Sequence, residues 1–527
     1  MDAADRLFVD GRVYVSEGEI VDVRDGGGPP PDGFAGPVIE TAGTIYPGLI
    51  ELHNHLAYNV LPPWRVPELY TNRAQWQGTE PYRKRISGPM TVLGKTAEPV
   101  PAVVRYVEAK CLLAGVTTSQ GIKLHSAPGI ETKYRGVVRN VEQTDDPQLP
   151  EAATRLADVE AASAEAFLAR LKASSCLLLH LAEGVDDDAR QHFLALQVKP
   201  GSWAIRRSLA GIHCAALRPE DFRRLARGRG SMVWSPLSNL LLYGRTADIG
   251  AARAAQVRIA LGSDWSPSGS KNLLGELKIA RLLARQSGWD ITDAEIVAMA
   301  TRNAAEVVRW GGRLGTLEPG SRADLLVLAG RRRAAHAQLL EAHEGDVKLV
   351  VIGGVARYGR KALMRRLVGA RNDLEPITVA GTERLLFFTQ GTADPVVGAL
   401  TLADATARVT EAMGDLPSLA RKLERAPIAS LMAAAAAGRP AFFLSLDHDE
   451  PPGIALRPHL PGVHGEPTGL GADPRLLAAA AATPLSQLLE PMRPDPLTTV
   501  GDPGYLAALL AQPNLPPTIK AELPDLF

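Results

Sequence analysis

Leu49-Ile-Glu-Leu-His-Asn-His55 is an apolar run that ends in two histidines one residue apart. Read as a buried β-strand, it turns side chains two positions apart to the same side, so His53 and His55 project together and Asn54 points away. Two imidazoles on one face are able to share a metal ion. A parallel α/β barrel builds its site at the carboxyl ends of its strands, and this pair stands at such an end. Taken alone, the pair reads better as two solvated histidines at a loop entrance, and it is the rest of the chain that overturns this.

Downstream, strand-like and helix-like segments alternate, which is the pattern of βα units in a parallel sheet. Strand candidates fall near 47–54, 116–121, 136–141, 176–182, 210–214, 231–235 and 257–263. A helix over 102–114 carries Val103, Val107, Cys111 and Ala114 on one stripe and stops at Gly115. A second helix, over 293–310, opens with Thr292-Asp-Ala-Glu295, a capping box. A closed barrel needs an eighth strand. Between Val141 and Ser175 the pattern offers a helix, Glu151 to Lys172, and no clear strand, so the eighth is cryptic or the barrel is distorted there.

Three later candidates end in polar groups. His180 ends one within Leu177-Leu-Leu-His180-Leu-Ala-Glu183-Gly184, His213 ends another after Gly211-Ile, and Asp264 ends a third after Ile259-Ala-Leu-Gly-Ser. Each alone is ordinary. Four histidines and an aspartate at the carboxyl ends of strands converge on one mouth if the region closes into a barrel.

Together with Pro47-Gly-Leu-Ile-Glu-Leu-His-Asn-His55, Gly115-Val-Thr-Thr118, Ser235-Pro-Leu-Ser-Asn239 and Leu317-Glu-Pro-Gly-x-Arg-Ala-Asp-Leu325, these motifs resemble, in order, those of the amidohydrolase superfamily. Within it they most resemble the aminohydrolase and chlorohydrolase branch that includes guanine deaminase and triazine hydrolases, over about residues 6–360. The resemblance implies an α/β fold: a distorted (β/α)8 barrel with a small β-sandwich built from both flanks. It implies a hydrolase that activates water against a carbon–nitrogen bond of a nitrogen heterocycle, as in deamination. Hydrolysis of a cyclic or linear amide is the alternative, and a non-catalytic barrel scaffold the reading from another class. It further implies His53, His55, His180 and Asp264 as ligands of one divalent transition metal, zinc or alternatively iron. Asp264 would also accept the water's proton, His213 would orient water or polarise the reacting carbon, and Glu183 would protonate a ring nitrogen. No lysine ends a strand candidate between Val137 and Ser175, which favours one metal over two.

The expected organisation is residues 1–46 and 313–366 as the two parts of the sandwich, 47–312 as the barrel, and 367–527 as a mainly helical extension outside the motif set. Helical patterns run near 402–414 and 417–437, and Asp447-His-Asp-Glu450 with His459 and His464 reads as a surface loop rather than a second metal site. Of 27 aromatic residues, Tyr58, Trp64, Tyr70, Trp76 and Tyr82 crowd the loop after His55, about four times an even share. They either stack on a planar substrate or pack that loop onto the rim.

Composition bounds the partners. At 46% hydrophobic and 22% charged the chain reads as a globular enzyme, with no apolar run long enough to span a membrane. Its start lacks a signal peptide's basic and apolar regions, so a cytoplasmic protein is expected. Lys plus Arg equals Asp plus Glu at 58 each, leaving no long-range attraction for nucleic acid or anionic membrane. A small-molecule substrate is the expected partner, for a single chain or a homo-oligomer. Cys111, Cys176 and Cys214 form no Cys-x-x-Cys, so any metal rests on nitrogen and oxygen.

Overall fold

A computed structural model describes residues 6–26, 28–126, 131–155, 164–330, 334–425, 442–446 and 483–527. Its centre holds eight parallel strands: β1 (Leu49–Glu51), β2 (Val116–Ser119), β3 (Arg139–Asn140), β4 (Ala153–Arg155), β5 (Leu177–Leu181), β6 (Leu209–His213), β7 (Ser231–Trp234) and β8 (Arg258–Leu261). Seven coincide with the strand candidates of the sequence. The eighth, β4, falls inside the stretch expected to be helical from Glu151. Among the described residues of that stretch, Ala164–Ala173 is helical, and Ala153 is drawn into parallel pairing opposite Leu177. Tertiary pairing overrides local preference in so short a segment.

The strands pair in two runs, β1-β2-β3 and β4-β5-β6-β7-β8. Hydrogen bonds link the runs at both seams. Ala152 N donates to Val141 O at 2.8 Å on one side; on the other, His55 N donates to Asp264 O at 2.7 Å and Asp264 N to His53 O at 3.0 Å. The second seam needs Gly262, because a Cβ there would lie 2.6–2.7 Å from Cβ, N and O of His53. β1, β2, β5, β6 and β7 are buried along their length, as expected of parallel strands covered by helices.

Helix Val100–Leu113 precedes β2 as expected. The helix expected over 293–310 is two, Asp293–Met299 and Arg302–Val307, and the capping box at Thr292 and Glu295 is formed. The break releases the carbonyl of Ala300, which accepts a 2.8 Å bond from Ile50 N of β1. A strand N–H is thereby satisfied that a continuous helix would leave without a partner.

Both flanks contribute to a second, antiparallel sheet. Its order is Leu374–Val379, Thr382–Phe387, Val355–Arg360, Val347–Ile352, Leu325–Ala329 and Gly43–Pro47, with the hairpin Arg12–Ser16/Glu19–Arg24 docked alongside through Ile20 N to Ser321 O. The sheet runs past residue 366, the expected end of this part. The alternating segments 374–379 and 382–387 turn at Ala380-Gly381, both at positive φ, and form a hairpin. Helices Leu402–Gly414 and Leu416–Arg425 follow. Residues 426–437 of the second helical pattern, and Asp447–Glu450, His459 and His464, lie outside the described residues. The last part, 483–527, returns to the centre and buries Tyr505, Leu515, Ile519 and Leu523 in the main core.

Candidate metal centre and active site

All six residues singled out in the sequence meet at the carboxyl ends of the parallel strands. His53 and His55 follow β1, and extended geometry persists past its end, since Asn54 bridges to Asp264 in parallel register. Asn54 points away, donating to Glu51 Oε2 at 2.8 Å. Glu51 also accepts from Ser263 N at 3.0 Å, so one buried carboxylate ties the strand before the histidines to the residue before Asp264. His180 lies on β5, His213 ends β6, and Asp264 follows β8.

The chain leaves these strand ends through strained backbone. Ala182, His213, Cys214 and Asp264 all have left-handed φ, between 52° and 68°, where residues other than glycine are unfavoured. Such strain, about 1–3 kcal/mol each, persists only where surrounding structure imposes it, and it gathers at functional sites.

The donor atoms converge. His53 Nε2 lies 3.3 Å from His180 Nε2 and 3.1 Å from Asp264 Oδ1, and His55 Nε2 lies 3.3 Å from the same oxygen. Ligands of one four-coordinate ion at about 2.0–2.1 Å lie about 3.3 Å apart, the spacing of these three pairs; the potential ligand groups are two triads that share His53, one with His55 and Asp264 and one with His180 and His213. The chemistry agrees: burial pushes the His53 imidazole down to about 4, which keeps it neutral. For Asp264 burial works in the opposite direction, but the adjacent His53, His55 and His213 outweigh it and hold the carboxyl far below its usual range. Ser238 Oγ donates to Asp264 Oδ2 at 2.6 Å, which leaves Oδ1 facing the histidines.

His213 has a nitrogen within 4.8 Å of those of His53 and His180, so proximity alone admits it as a ligand. Hydrogen bonding gives it another character. Trp234 Nε1, a donor only, bonds Thr246 Oγ1 at 2.7 Å; the Thr246 hydroxyl then donates to Asn239 Oδ1 at 3.1 Å. That orients the Asn239 amide so that Nδ2 donates to His213 Nδ1 at 3.0 Å. With Nδ1 accepting, the neutral ring carries its proton on Nε2, which faces Glu183 Oε2 at 3.7 Å.

Glu183 is fully held. Tyr243 OH donates to Oε1 at 2.8 Å and Arg73 Nη1 to Oε2 at 2.8 Å. Burial would raise its pKa, but the positive charge of Arg73 leads the opposing influences and lowers it, so the group rests as a carboxylate. It is not the cap of the following helix; Asp186 is, accepting from Ala189 N at 2.8 Å. Asp186 also accepts from Thr71 Oγ1 and Asn72 Nδ2, both at 2.6 Å, anchoring the loop that brings in Arg73. Gly184, at φ 146°, permits this approach: a Cβ there would lie 2.5 Å from Thr71 O.

Of the five loop aromatics, Trp76 and Tyr82 line the pocket over these groups, with Trp265 beside them. Tyr58 packs between His55 and Trp265, while Trp64 and Tyr70 are buried in the core. Packing of the loop onto the core is therefore present, and Trp76 and Tyr82 face the pocket. The sequence alone does not single out Arg73, Tyr243, Trp265 or the roles of Ser238 and Asn239. The last two stand in the Ser235-Pro-Leu-Ser-Asn239 motif and Trp265 adjoins Asp264, whereas Arg73 lies in a loop with no periodicity to mark it.

Residues 190–357 match the model of the Amidohydrolase family. A 5-methylthioadenosine/S-adenosylhomocysteine deaminase of Moorella thermoacetica is 30% identical over 226 residues, 40% of this chain and 51% of that protein. An S-triazine hydrolase of Gordonia rubripertincta is 30% identical over 140 residues, 26% of this chain and 28% of that protein. The chain thus spans about half, or less, of the length of these curated relatives. The atrazine chlorohydrolase TrzN of Arthrobacter aurescens TC1, solved in complex with zinc, shares the fold at 19% identity, with 67% of this chain and 92% of that chain covered and a TM-score of 0.52. The histidine and aspartate cluster thus sits in a chain whose residues 190–357 match the Amidohydrolase family model.

Proposed function

We propose that the chain is a metal-dependent hydrolase that removes an amino group, as ammonia, from a small nitrogen heterocycle. In this reading β1–β8 form one distorted (β/α)8 barrel, supported by the hydrogen bonds at both seams, and the antiparallel sheet and hairpin form a sandwich beside it. Residues 1–46 and 313–387 then make the sandwich, 47–312 the barrel, and the remainder the extension. One observation carries the proposal: His53 Nε2 lies 3.1–3.3 Å from donor atoms of His180 and Asp264, and His55 Nε2 3.3 Å from Asp264, at the ends of three strands, with an ionised Glu183 and a proton-bearing His213 Nε2 beside them. A scaffold that had lost catalysis would have no need to keep this set. The nitrogen and oxygen donors suit zinc first and iron second.

When bound, the ion supplies water that ionises near neutral pH and stabilises the charge developing on the reacting group. Residues of the chain do the rest. The Nε2 proton of His213 hydrogen-bonds the attacking oxygen. Glu183 begins as a carboxylate, so it takes one water proton and then delivers it to a ring nitrogen. Asp264 accepts the second proton and passes it to the amino group. The carbon–nitrogen bond breaks, ammonia leaves, and the ring retains a carbonyl oxygen and a new N–H. Trp76, Tyr82 and Trp265 offer apolar faces for a planar ring.

The test is ammonia release from aminated purines, pyrimidines and triazines, run beside ring opening of cyclic imides and metal analysis of the purified protein. Metal with ammonia release is the expected result. Ring opening of an imide without ammonia release moves the activity to amide hydrolysis, and protein purified with metal in the buffer yet retaining none removes the hydrolase reading.

A further inference from the structure

The C-terminal segment lies outside the matched family region, yet one of its residues is among the most buried charges in the molecule. Asp495, between Pro494 and Pro496, has no exposed surface. Its carboxylate joins two buried ammonium groups: Oδ2 accepts from Lys110 Nζ at 2.5 Å and Oδ1 from Lys271 Nζ at 2.6 Å. Lys110 comes from helix Val100–Leu113, and Lys271 from the loop after β8, where it also pairs with Asp502 at 2.8 Å. The backbone of Asp495 is fixed too, its N–H donating to Val60 O at 2.8 Å and its carbonyl accepting from Tyr106 OH at 2.7 Å. An ammonium buried without its carboxylate is strongly destabilising, so this residue is not a passive filler.

Lys110 extends the contact toward the metal centre. Its remaining protons reach Asn59 O at 2.7 Å and Ser266 Oγ at 3.2 Å, which uses all three donors. Asn59 in turn accepts from Ser266 N at 2.8 Å and donates to Asn54 Oδ1 at 2.8 Å. Asn54 stands between His53 and His55, and Ser266 two residues after Asp264. Continuous buried hydrogen bonds therefore run from the C-terminal segment to both chain segments that deliver these three ligands.

We propose that Asp495 is a positioning residue, which through Lys110 clamps the segments after β1 and β8 and so holds His53, His55 and Asp264 in register for the metal. The proposal rests on the metal-centre reading above. It assigns the C-terminal segment a part in building the site, although the segment supplies no ligand. Outer contacts of this kind are worth about 10–100-fold in metal affinity.

Two full-length variants test it. Asp495→Asn removes the carboxylate. Lys110→Met leaves Asp495 paired with Lys271, and Lys271 with Asp502, while cutting the path to Asn59 and Ser266. Amide hydrogen exchange on metal-stripped protein, and the rate at which zinc-loaded protein loses zinc to a chelator, are both read. In Lys110→Met, amides of 54–61 and 264–268 should exchange about tenfold faster and zinc should leave about tenfold faster, with exchange in the sheet strands 347–352 and 355–360 unchanged. Asp495→Asn should show the same pattern more strongly. Should it not fold, Lys110→Met decides alone. Wild-type exchange and zinc loss in Lys110→Met would overturn the clamp, as would an equal acceleration in the sheet, which would mark general destabilisation. Wild-type protein that takes up no zinc would remove the metal reading separately, and exchange in the two segments would still decide the clamp.

Discussion

Arg73 and Glu183 meet at 2.8 Å inside the pocket, and the guanidinium also lies against His180 Nδ1. Glu183 Oε2 stands 3.7 Å from that nitrogen, beyond hydrogen-bond distance, so Arg73 and Tyr243 hold the carboxylate and Arg73 sets its charge. In Arg73→Met the charge that lowers the Glu183 pKa is gone while burial still raises it, so the carboxylate protonates at higher pH. If turnover begins with that carboxylate, the acidic limb of kcat/KM moves to higher pH. A pH–rate profile reads this directly, and an unmoved limb would mean that another group titrates there.

Glu183 and His53 should separate under mutation. Glu183→Gln keeps the size and the bond from Tyr243 but has no titrating proton, so turnover should fall by about two to four orders of magnitude with metal content retained. His53→Ala should lose both. Metal analysis beside steady-state rates checks the pair. Loss of metal in Glu183→Gln would make Glu183 a ligand or a ligand's anchor; unchanged turnover would end its role as proton carrier.

Asn239→Asp reverses one hydrogen bond. A carboxylate accepts where the amide donated, so the His213 proton moves to Nδ1 and Nε2 loses its donor. Turnover should fall by about 10–100-fold while metal content holds, a magnitude typical of groups that orient a catalytic or ligating histidine. Nitrogen-15 NMR of the histidine rings distinguishes the two tautomers, and an unchanged spectrum would show that Asn239 does not set the proton.

Gly262→Ala tests the seam between β8 and β1. The added methyl meets the backbone and Cβ of His53 at 2.6–2.7 Å, and main chain on a buried strand cannot move aside as a flexible side chain does. Overpacking of this kind costs about 1–3 kcal/mol. Denaturant unfolding should register that loss, and metal affinity should fall with it because the displaced residue is a proposed ligand. Wild-type stability would mean that the seam is looser than its contacts indicate.

Much of the fold and of the site is legible in the order of the amino acids. β5, β6 and β8 announce themselves as apolar runs closed by a polar residue, because strands buried on both faces tolerate polarity only at their ends. His53, His55, His180, His213 and Asp264 stand out for that reason. β4 does not: its residues sit in a stretch with good helix formers, and only pairing with Leu177–Leu179 makes them a strand. Arg73 and Tyr243 reach Glu183 from segments 110 and 60 positions away. Asp495 is hidden more deeply, since a charged residue between two prolines reads as loop and its lysine partners lie 385 and 224 residues earlier.

That last separation bears on how the protein is made. A ribosome delivers every one of the four proposed ligands before Asp495, so a nascent chain can assemble the histidine and aspartate cluster in outline while Lys110 still lacks its carboxylate. Lys271 is in the same position, because its other partner, Asp502, emerges later still. Burying those ammonium groups early is unfavourable. On the proposed clamp the centre matures late, when residues around Asp495 fold back on it, and a product truncated before Asp495 is expected to bind metal poorly even though all the proposed ligands have been translated.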